Sequence, residues 1–332
     1  MKLRNLVTLL VCLALIVIGL GAYTRLRDAG LGCPDWPGCY GQLVVPKSAQ
    51  AISQAETTFQ QSIEPAKAWI EMVHRYIAGI LGFGIISLFI FSLCRFTTLK
   101  KVIWIPFALT AMVIFQALLG RWTVTLKLYP PIILLHLLGG MMTLSLLWWY
   151  RLQLGVSPLP HMHARLKPWL ILGLVLLFIQ IALGGWVSAN YAALICPDFP
   201  YCQGKWMPSL IWEEFVSSKA VGADNARLVT IHMVHRLGAV LVGGYLLSLS
   251  MIMMIKGQQF HSFRWGLFLG ILVSLQITLG ILNIIWLLPT YTAVSHHLVA
   301  ALLLLTLLSS LQRCRTASNK NVATLKHAER IG

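Results

Sequence analysis

The stretch EMVHRYIAGILG, residues 71–82, recurs in similar form as HMVHRLGAVLVG at 232–243, and this repeat indicates how the chain is organised. Two further pairs follow at nearly the same distance. FQALLG (115–120) matches LQITLG (275–280), and PIILLHLLGG (131–140) matches YTAVSHHLVA (291–300). Offsets of 160 and 161 residues predict two similar halves, about 1–160 and 161–332.

The composition is that of a membrane protein. Of the 332 residues, 58% are hydrophobic and 11% are charged, with a mean hydropathy of +0.76, whereas a soluble domain carries about 25% charged residues. Eight apolar runs are each long enough to cross a bilayer as a helix: 5–24, 69–93, 102–122, 131–150, 168–189, 228–255, 264–286 and 290–311. We therefore predict an all-α polytopic membrane protein whose eight transmembrane helices form two pseudo-symmetric four-helix bundles.

The basic residues predict the orientation in the membrane. If both termini are cytoplasmic, 15 basic residues and one acid lie on the inner side, against 11 basic residues and nine acids outside. This bias follows the positive-inside rule. The formal charge of +16 then reflects the membrane topology and does not indicate nucleic-acid binding. We expect the basic inner face to contact membrane lipid. The predicted location is a bacterial inner membrane with both termini in the cytoplasm.

Two similar cysteine motifs lie in the large outer loops, GCPDWPGC at 32–39 and ICPDFPYC at 195–202. Disulfides persist in this compartment, so we predict the pairs Cys33–Cys39 and Cys196–Cys202. Such a short closed loop contributes about 2 kcal/mol in the chain-entropy model. Zinc binding is the competing interpretation, although the five-residue spacers are wider than usual for zinc ligands.

Four histidines open the even-numbered spans, each one to two turns below the outer surface: His74, His136, His235 and His296. Ionisable residues inside spans mark functional sites by default. Two imidazoles from neighbouring helices of an apolar bundle match the axial ligands of a haem iron, and a structural hydrogen-bonding role is the alternative. His297 is an alternative to His296, since the offset of 161 fits His297 and the offset of 160 fits His296.

Charged side chains next to these histidines suggest further roles. Arg75 and Arg236 follow two of them, and guanidinium groups pair well with haem propionates; snorkelling towards the headgroups is the alternative. Glu71 lies one turn before His74, whereas the second half has His232 there. This asymmetry predicts Glu71 as a catalytic proton acceptor, with a favourable helix-dipole contact as the alternative.

These motifs, CPDWPGC, EMVHR, HLLGG, MVHR and HHLVA in order over eight spans, resemble the haem A synthase family, in the branch with paired extracytoplasmic cysteines. The resemblance implies oxidation of the C8 methyl of haem O to a formyl group by successive hydroxylations with water as the oxygen source. It implies haem O as substrate in the N-terminal half, at His74 and His136 with the catalytic Glu71. It also implies haem b as cofactor in the C-terminal half, at His235 and His296.

Other functions and partners stay open. A di-haem, bis-histidine quinol oxidoreductase is the main rival, but all four ligand candidates lie on the outer side, whereas electron transfer across a membrane usually places haems in opposite leaflets. A transporter with parallel repeats would need spans broken at mid-membrane, and the prolines cluster at span ends. The farnesyltransferase that makes haem O, an unidentified electron acceptor and a homo-oligomer are partner hypotheses.

Overall fold

The computed structural model describes residues 3–100, 102–154, 162, 164–213, 215, 225–255 and 260–328. This part contains ten α-helices and no β-strand, so the prediction of an all-α chain is confirmed. The helices are α1 (Leu3–Leu26), α2 (Ala49–Phe59), α3 (Pro65–Cys94), α4 (Phe96–Leu99), α5 (Trp104–Thr125), α6 (Pro130–Gln153), α7 (Lys167–Ala189), α8 (Asn225–Ile255), α9 (Phe260–Ile285) and α10 (Thr290–Ala328).

Eight of these helices are long and apolar enough to cross a membrane, namely α1, α3 and α5 to α10. Their bounds lie within a few residues of the predicted apolar runs, apart from α10, which extends beyond its run. Proline occupies the first turn of α3, α6 and α7, where its missing N–H removes no intrahelical bond. The chain is thus a multi-pass membrane protein, as predicted.

The helices pack as two groups of four. In the first group, α1 and α5 each contact both α3 and α6; in the second, α8 and α10 each contact both α7 and α9. The groups meet where α1 contacts α10, α6 contacts α7, and α6 contacts α10. In the repeat, α1 is equivalent to α7 and α6 is equivalent to α10. Replacing each helix by its equivalent turns the α1–α10 contact into the α6–α7 contact, so the arrangement fits two pseudo-symmetric bundles.

The main apolar core joins both bundles and extends to the end of the molecule away from the cysteine loops. Its fully buried members include Leu147, Tyr150, Leu170 and Leu307. Side chains also link helices at this end, where Trp148 Nε1 donates to the hydroxyl of Ser309 at 2.9 Å and Arg151 Nε to that of Thr8 at 2.7 Å. The predicted histidine ligands on α3, α6, α8 and α10 lie nearer the opposite, outer end of these helices than these core residues do.

Two helices were not predicted, the four-residue α4 and the longer α2. Helix α2 lies in the first outer loop, and its N-terminus is capped by Ser48, whose hydroxyl accepts the N–H of Ala51 at 3.2 Å. Phe59 at its end packs edge-on against Tyr40, with 5.5 Å between ring centroids. An 11-residue, mostly polar helix has no long apolar run to reveal it, so its sequence resembles that of a loop.

Candidate functional site

Both cysteine pairs form disulfides, Cys33–Cys39 and Cys196–Cys202. The disulfide prediction is confirmed. Among the residues that the structure describes, no group of three or more histidine, cysteine or acidic side chains could hold a metal ion. Zinc at the cysteine pairs therefore finds no support.

The aspartate of each motif folds its loop. Asp35 accepts the N–H of Tyr40 at 2.6 Å through Oδ1 and the N–H of Gly41 at 2.9 Å through Oδ2. Asp198 accepts the two equivalent N–H groups at 2.8 and 2.7 Å. These donors, that of Gly204 first, hold the pKa of the Asp198 carboxyl below its usual value because they stabilise its charged form. The repeated Cys-Pro-Asp sequence thus encodes one loop conformation twice.

Arginines fasten both loops to the helices below them. Arg75 on α3 donates to the carbonyl oxygen of Asp35 at 2.9 Å. Arg236 on α8 donates to the carbonyl oxygens of Cys196 at 3.0 Å and Tyr201 at 2.8 Å. Both guanidinium groups therefore have a structural role, and their contact with haem propionates stays a prediction.

Glu71 anchors the first loop from within the bundle. Only 4% of the residue is exposed, its Oε2 accepts the N–H of Cys33 at 3.0 Å, and its Oε1 pairs with Arg75. At the equivalent position of the second half, Nδ1 of His232 lies 2.8 Å from the carbonyl oxygen of Ala192. Both side chains hold the outer loop, but only the N-terminal half has a carboxylate there.

Each of the four predicted haem ligands packs its ring against a glycine of a neighbouring helix. A Cβ added to the glycine would lie 2.9–3.6 Å from the imidazole Cε1 in the pairs Gly21–His74, Gly120–His136, Gly184–His235 and Gly280–His296. Since carbon atoms prefer about 3.5–4.0 Å, a larger residue would displace most of these rings. The glycines let the imidazoles lie close to the helix backbones.

Within each bundle, the two predicted ligands interact electrostatically. His136 is within electrostatic range of His74 in the first bundle, and His235 is within range of His296 in the second. His297 is also close to both members of the second pair. Iron ligation by any of these residues, and the choice between His296 and His297, stay predictions.

The residues of both bundles fit a haem. The Nδ1 atoms of His74, His136 and His296 are buried without a hydrogen-bond partner among the described residues. A buried polar atom without a partner calls for a specific explanation, and a group outside the chain is one. Paired imidazoles in an apolar bundle suit an iron porphyrin, which takes axial histidines and apolar walls. His74 with His136, and His235 with His296, would hold the iron.

Sequence analysis missed the glutamines beside these histidines. Gln180 Nε2 lies 3.0 Å from Nδ1 of His235, and Gln276 Nε2 lies 3.1 Å from Nε2 of His296. A signal exists in the sequence, because a glutamine stands four residues before the ring-contacting glycine in α5, α7 and α9. This spacing places each glutamine one turn from its glycine, on the same helix face.

Known proteins are similar to this chain over almost its whole length. Residues 4–308 match the COX15-CtaA family model, described as cytochrome oxidase assembly protein. The Heme A synthase of Shewanella oneidensis is 42% identical, over 93% of this chain and 96% of its own length. Those of Sphingopyxis alaskensis and Paracoccus denitrificans are each 27% identical, over 91% and 90% of this chain and 88% and 84% of their own lengths.

These matches confirm the resemblance that the motifs indicated. A family match spanning nearly all of the chain, together with a relative of 42% identity over 93% of it, leaves no large segment outside the shared architecture. The chain belongs to the COX15-CtaA family of cytochrome oxidase assembly proteins.

Proposed function

We propose that this protein is a haem A synthase, which oxidises the C8 methyl of haem O to a formyl group by successive hydroxylations with water as the oxygen source. One observation carries the proposal: in each bundle two histidines interact electrostatically, and both rings pack against helix glycines. Similarity to the Heme A synthase of Shewanella oneidensis over nearly the full length supports the same conclusion.

The two halves have different roles in this proposal. Haem O would be held in the N-terminal half, 1–160, by His74 and His136, and a resident haem b in the C-terminal half, 161–332, by His235 and His296. The buried carboxylate of Glu71, present only in the first half, supports this assignment. Bound haem b supplies one-electron redox chemistry, so that half can pass electrons on.

The chain's own residues handle protons at the substrate half. Converting a methyl group and one water into a formyl group releases four protons and four electrons. Glu71 lies one turn from His74 and is the nearest carboxylate on that helix face, so it takes up protons at its Oε atoms. The N–H of Cys33 and the guanidinium of Arg75 fix its orientation. The electrons leave to an external electron acceptor of the oxidoreductase reaction.

The membrane placement follows from charge and redox chemistry. We place the protein in a bacterial inner membrane with both termini in the cytoplasm, because the basic residues concentrate on that side. The disulfide loops then face the oxidising side, supported by the two bonds that the structure contains. Transfer of haem O from the farnesyltransferase that makes it, and a homo-oligomer, stay predictions.

Pigment extraction tests the function directly. We express the full-length chain in a host that lacks haem A synthase, with and without an enzyme that makes haem O, and analyse the extracted haems by chromatography and mass spectrometry. With haem O present, we expect a product heavier than haem O by one oxygen and lighter by two hydrogens. Without haem O, only haem b should be extracted.

The same experiment distinguishes the main rival. If haem is bound, no formyl haem forms, and the optical spectrum changes on addition of quinol, the protein is a quinol oxidoreductase instead. A variant with His74→Ala and His136→Ala is the matched control. It should abolish the product while haem b remains bound in the C-terminal half.

A further inference from the structure

The tips of the two cysteine loops expose large apolar side chains at equivalent positions. Leu43 is 79% exposed and is followed by the exposed Val44. At the position 163 residues later, Trp206 is 65% exposed and is followed by the exposed Met207. The cysteine motifs repeat at the same offset, so both halves have this apolar tip. Adjoining exposed apolar side chains commonly mark a surface that contacts another molecule or a membrane.

A tight turn precedes each tip. In the first loop, Cys39 and Gln42 exchange two main-chain hydrogen bonds, of 2.7 and 3.2 Å. Tyr40 and Gly41 between them both have positive φ, 54° and 73°, which is typical of the type I′ turn in tight hairpins. The second loop repeats the turn, with hydrogen bonds of 2.9 and 3.1 Å and φ values of 53° and 74°. A hydrogen-bonded hairpin therefore holds Leu43 and its counterpart in their exposed positions.

The first tip lies beside the membrane-spanning helix α3. Tyr76, Ile80 and Phe83 occupy one side of this helix, at the spacing of successive turns, and all three are exposed. The Tyr76 hydroxyl donates a hydrogen bond to the carbonyl oxygen of Leu43. Helix α3 is long and apolar enough to cross the membrane, so its exposed apolar side faces lipid. Leu43 extends this lipid-facing surface.

The second tip lies beside α8. Arg236 on this helix donates to the carbonyl oxygen of Tyr201 at 2.8 Å. The Tyr201 ring packs edge-on against Trp206, with 5.7 Å between ring centroids, and both residues are exposed. Leu237 and Val240, which follow Arg236, are also exposed. The aromatic tip is therefore held against a membrane-spanning helix whose exposed side chains next to it are apolar.

The helix residues that hold the tips lie inside the membrane spans. Tyr76 and Arg236 follow the starts of their apolar runs, at 69 and 228, by seven and eight residues, or about 10–12 Å along the helix. Their long side chains lean back towards the helix N-terminus, which is the outer end of both helices. The atoms that contact the loops therefore lie near the boundary between acyl chains and headgroups, and not in the water above the membrane.

The residue types of the tips suit this boundary. Tryptophan and tyrosine are enriched at membrane–water interfaces, because each ring combines an apolar body with a polar atom. Lys205, which is exposed beside Trp206, adds a cation that anionic lipid headgroups attract. Leu43 and Val44 gain by leaving water, by about 25 cal/mol for each Å² of apolar surface that the lipid covers.

We propose that the tips of both cysteine loops insert into the interfacial layer of the membrane, where Leu43 and Val44 in the first half, and Trp206 and Met207 in the second, contact lipid. The lipid is then a third attachment for each loop, besides its disulfide and the arginine on the helix below it. This inference does not depend on the proposed function, because it involves neither haem nor catalysis.

Photocrosslinking in a bilayer tests the contact. The full-length chain is reconstituted in nanodiscs of phosphatidylethanolamine and phosphatidylglycerol, with p-benzoylphenylalanine in place of Leu43, Trp206, Phe83 or Gln54, and adducts are identified by mass spectrometry after irradiation. Phe83 on the lipid-facing side of α3 is the positive control, and Gln54, exposed on the polar helix α2, is the negative control. We expect lipid adducts at Leu43 and Trp206 in yields comparable with those at Phe83, and none above background at Gln54.

Tryptophan fluorescence gives a second measurement that needs no bulky photoreactive group. The chain has 12 tryptophans, so the signal of Trp206 is taken as the difference between wild type and Trp206→Phe in the same nanodiscs. We expect this signal to be quenched by lipids brominated near the headgroup more strongly than by lipids brominated near the end of the acyl chain.

Two results would overturn the proposal. If Phe83 gives lipid adducts while Leu43 and Trp206 give none, and brominated lipids leave the Trp206 signal unquenched, the tips lie in water. If the photoreactive group at Leu43 or Trp206 instead links two copies of the chain, the tips belong to an interface between copies and not to the membrane.

Discussion

Glu71 combines burial with an ordered set of partners. It is 4% exposed, yet one oxygen accepts a main-chain N–H and the other pairs with Arg75. A buried charge is tolerated only when it is paired and hydrogen-bonded, and Arg75 offsets the charge here. The carboxylate is therefore held in one orientation, one turn before His74 on α3, which suits the proton-acceptor role proposed for it.

Replacing Glu71 by glutamine removes the basic group while keeping an acceptor for the N–H of Cys33. We expect Glu71→Gln to lower haem A formation about 10²–10⁴-fold, the usual contribution of a general base, with haem b content unchanged. Product per bound haem b, measured by chromatography of extracted pigments, checks this outcome. Full activity would remove Glu71 from the mechanism.

Glu64→Gln provides the control for this experiment. Glu64 precedes α3, and its carboxylate is exposed and paired with Lys67 at 3.0 Å. Exposed pairs contribute little to stability, so activity and haem content should match those of wild type.

The sequence reveals the histidines but not their neighbours. His74, His136, His235 and His296 were predicted because ionisable side chains are rare inside apolar spans. A glycine or glutamine in a membrane helix carries no such signal, and its role depends on which helix packs opposite. The glycine contacts and the pairing of Gln180 with His235 therefore required the structure.

The two cysteine loops have the same local structure, but only the first accepts a carboxylate contact, that of Glu71 with the N–H of Cys33. Each loop has a disulfide, an aspartate that accepts two N–H groups, and an arginine below it. The cysteine spacing and the predicted location of the loops outside the membrane indicated the disulfides. They did not predict the docking on α3 and α8, because those contacts join residues about 40 positions apart.

Removing the first disulfide should affect catalysis more than removing the second. Each double serine variant, Cys33→Ser with Cys39→Ser or Cys196→Ser with Cys202→Ser, loses about 2 kcal/mol of loop-closure stabilisation. Only the first loosens the N–H that orients Glu71, so we expect its product formation to fall at least about tenfold further, the effect of a misplaced catalytic group.

Product formation per folded protein, with size-exclusion profiles to measure folding, separates the two effects. The second pair serves as the matched control, because its loop is anchored by His232 and Arg236 and contains no carboxylate contact of this kind. Equal loss of turnover in both variants would show that the loops act through stability alone.

At the scale of the whole molecule, the internal repeat predicted most of the architecture. Eight spans, their bounds and the division into four and four follow from apolar runs and from the offset of 160–161 residues. The contacts between the bundles did not follow, because helices that are apolar on all sides show no preferred packing face. The mean apolar character of α7, for example, does not indicate that it packs on α6 and α10.

Arg25 connects the two bundles at their outer ends. It lies at the end of α1, and its Nη2 donates to the carbonyl oxygen of Ser188 in the last turn of α7, at 2.7 Å. Its guanidinium carbon also lies 3.6 Å from the ring centroid of Tyr191. The last carbonyls of a helix lack intrahelical partners and carry partial negative charge, so a cation at this position stabilises α7 and joins the halves.

Replacing Arg25 should weaken the outer contact between the bundles. We expect Arg25→Leu to destabilise the protein by about 1–3 kcal/mol, the range for a hydrogen bond from a charged group, with a lower midpoint of thermal unfolding in detergent. Asp28 contributes little to this effect, because its side chain is 62% exposed where it pairs with Arg25 at 3.5 Å, and exposed pairs stabilise little. Arg27→Leu changes the exposed neighbouring arginine and should leave the midpoint unchanged. If both variants unfold at the same temperature, Arg25 does not contribute to holding the bundles together.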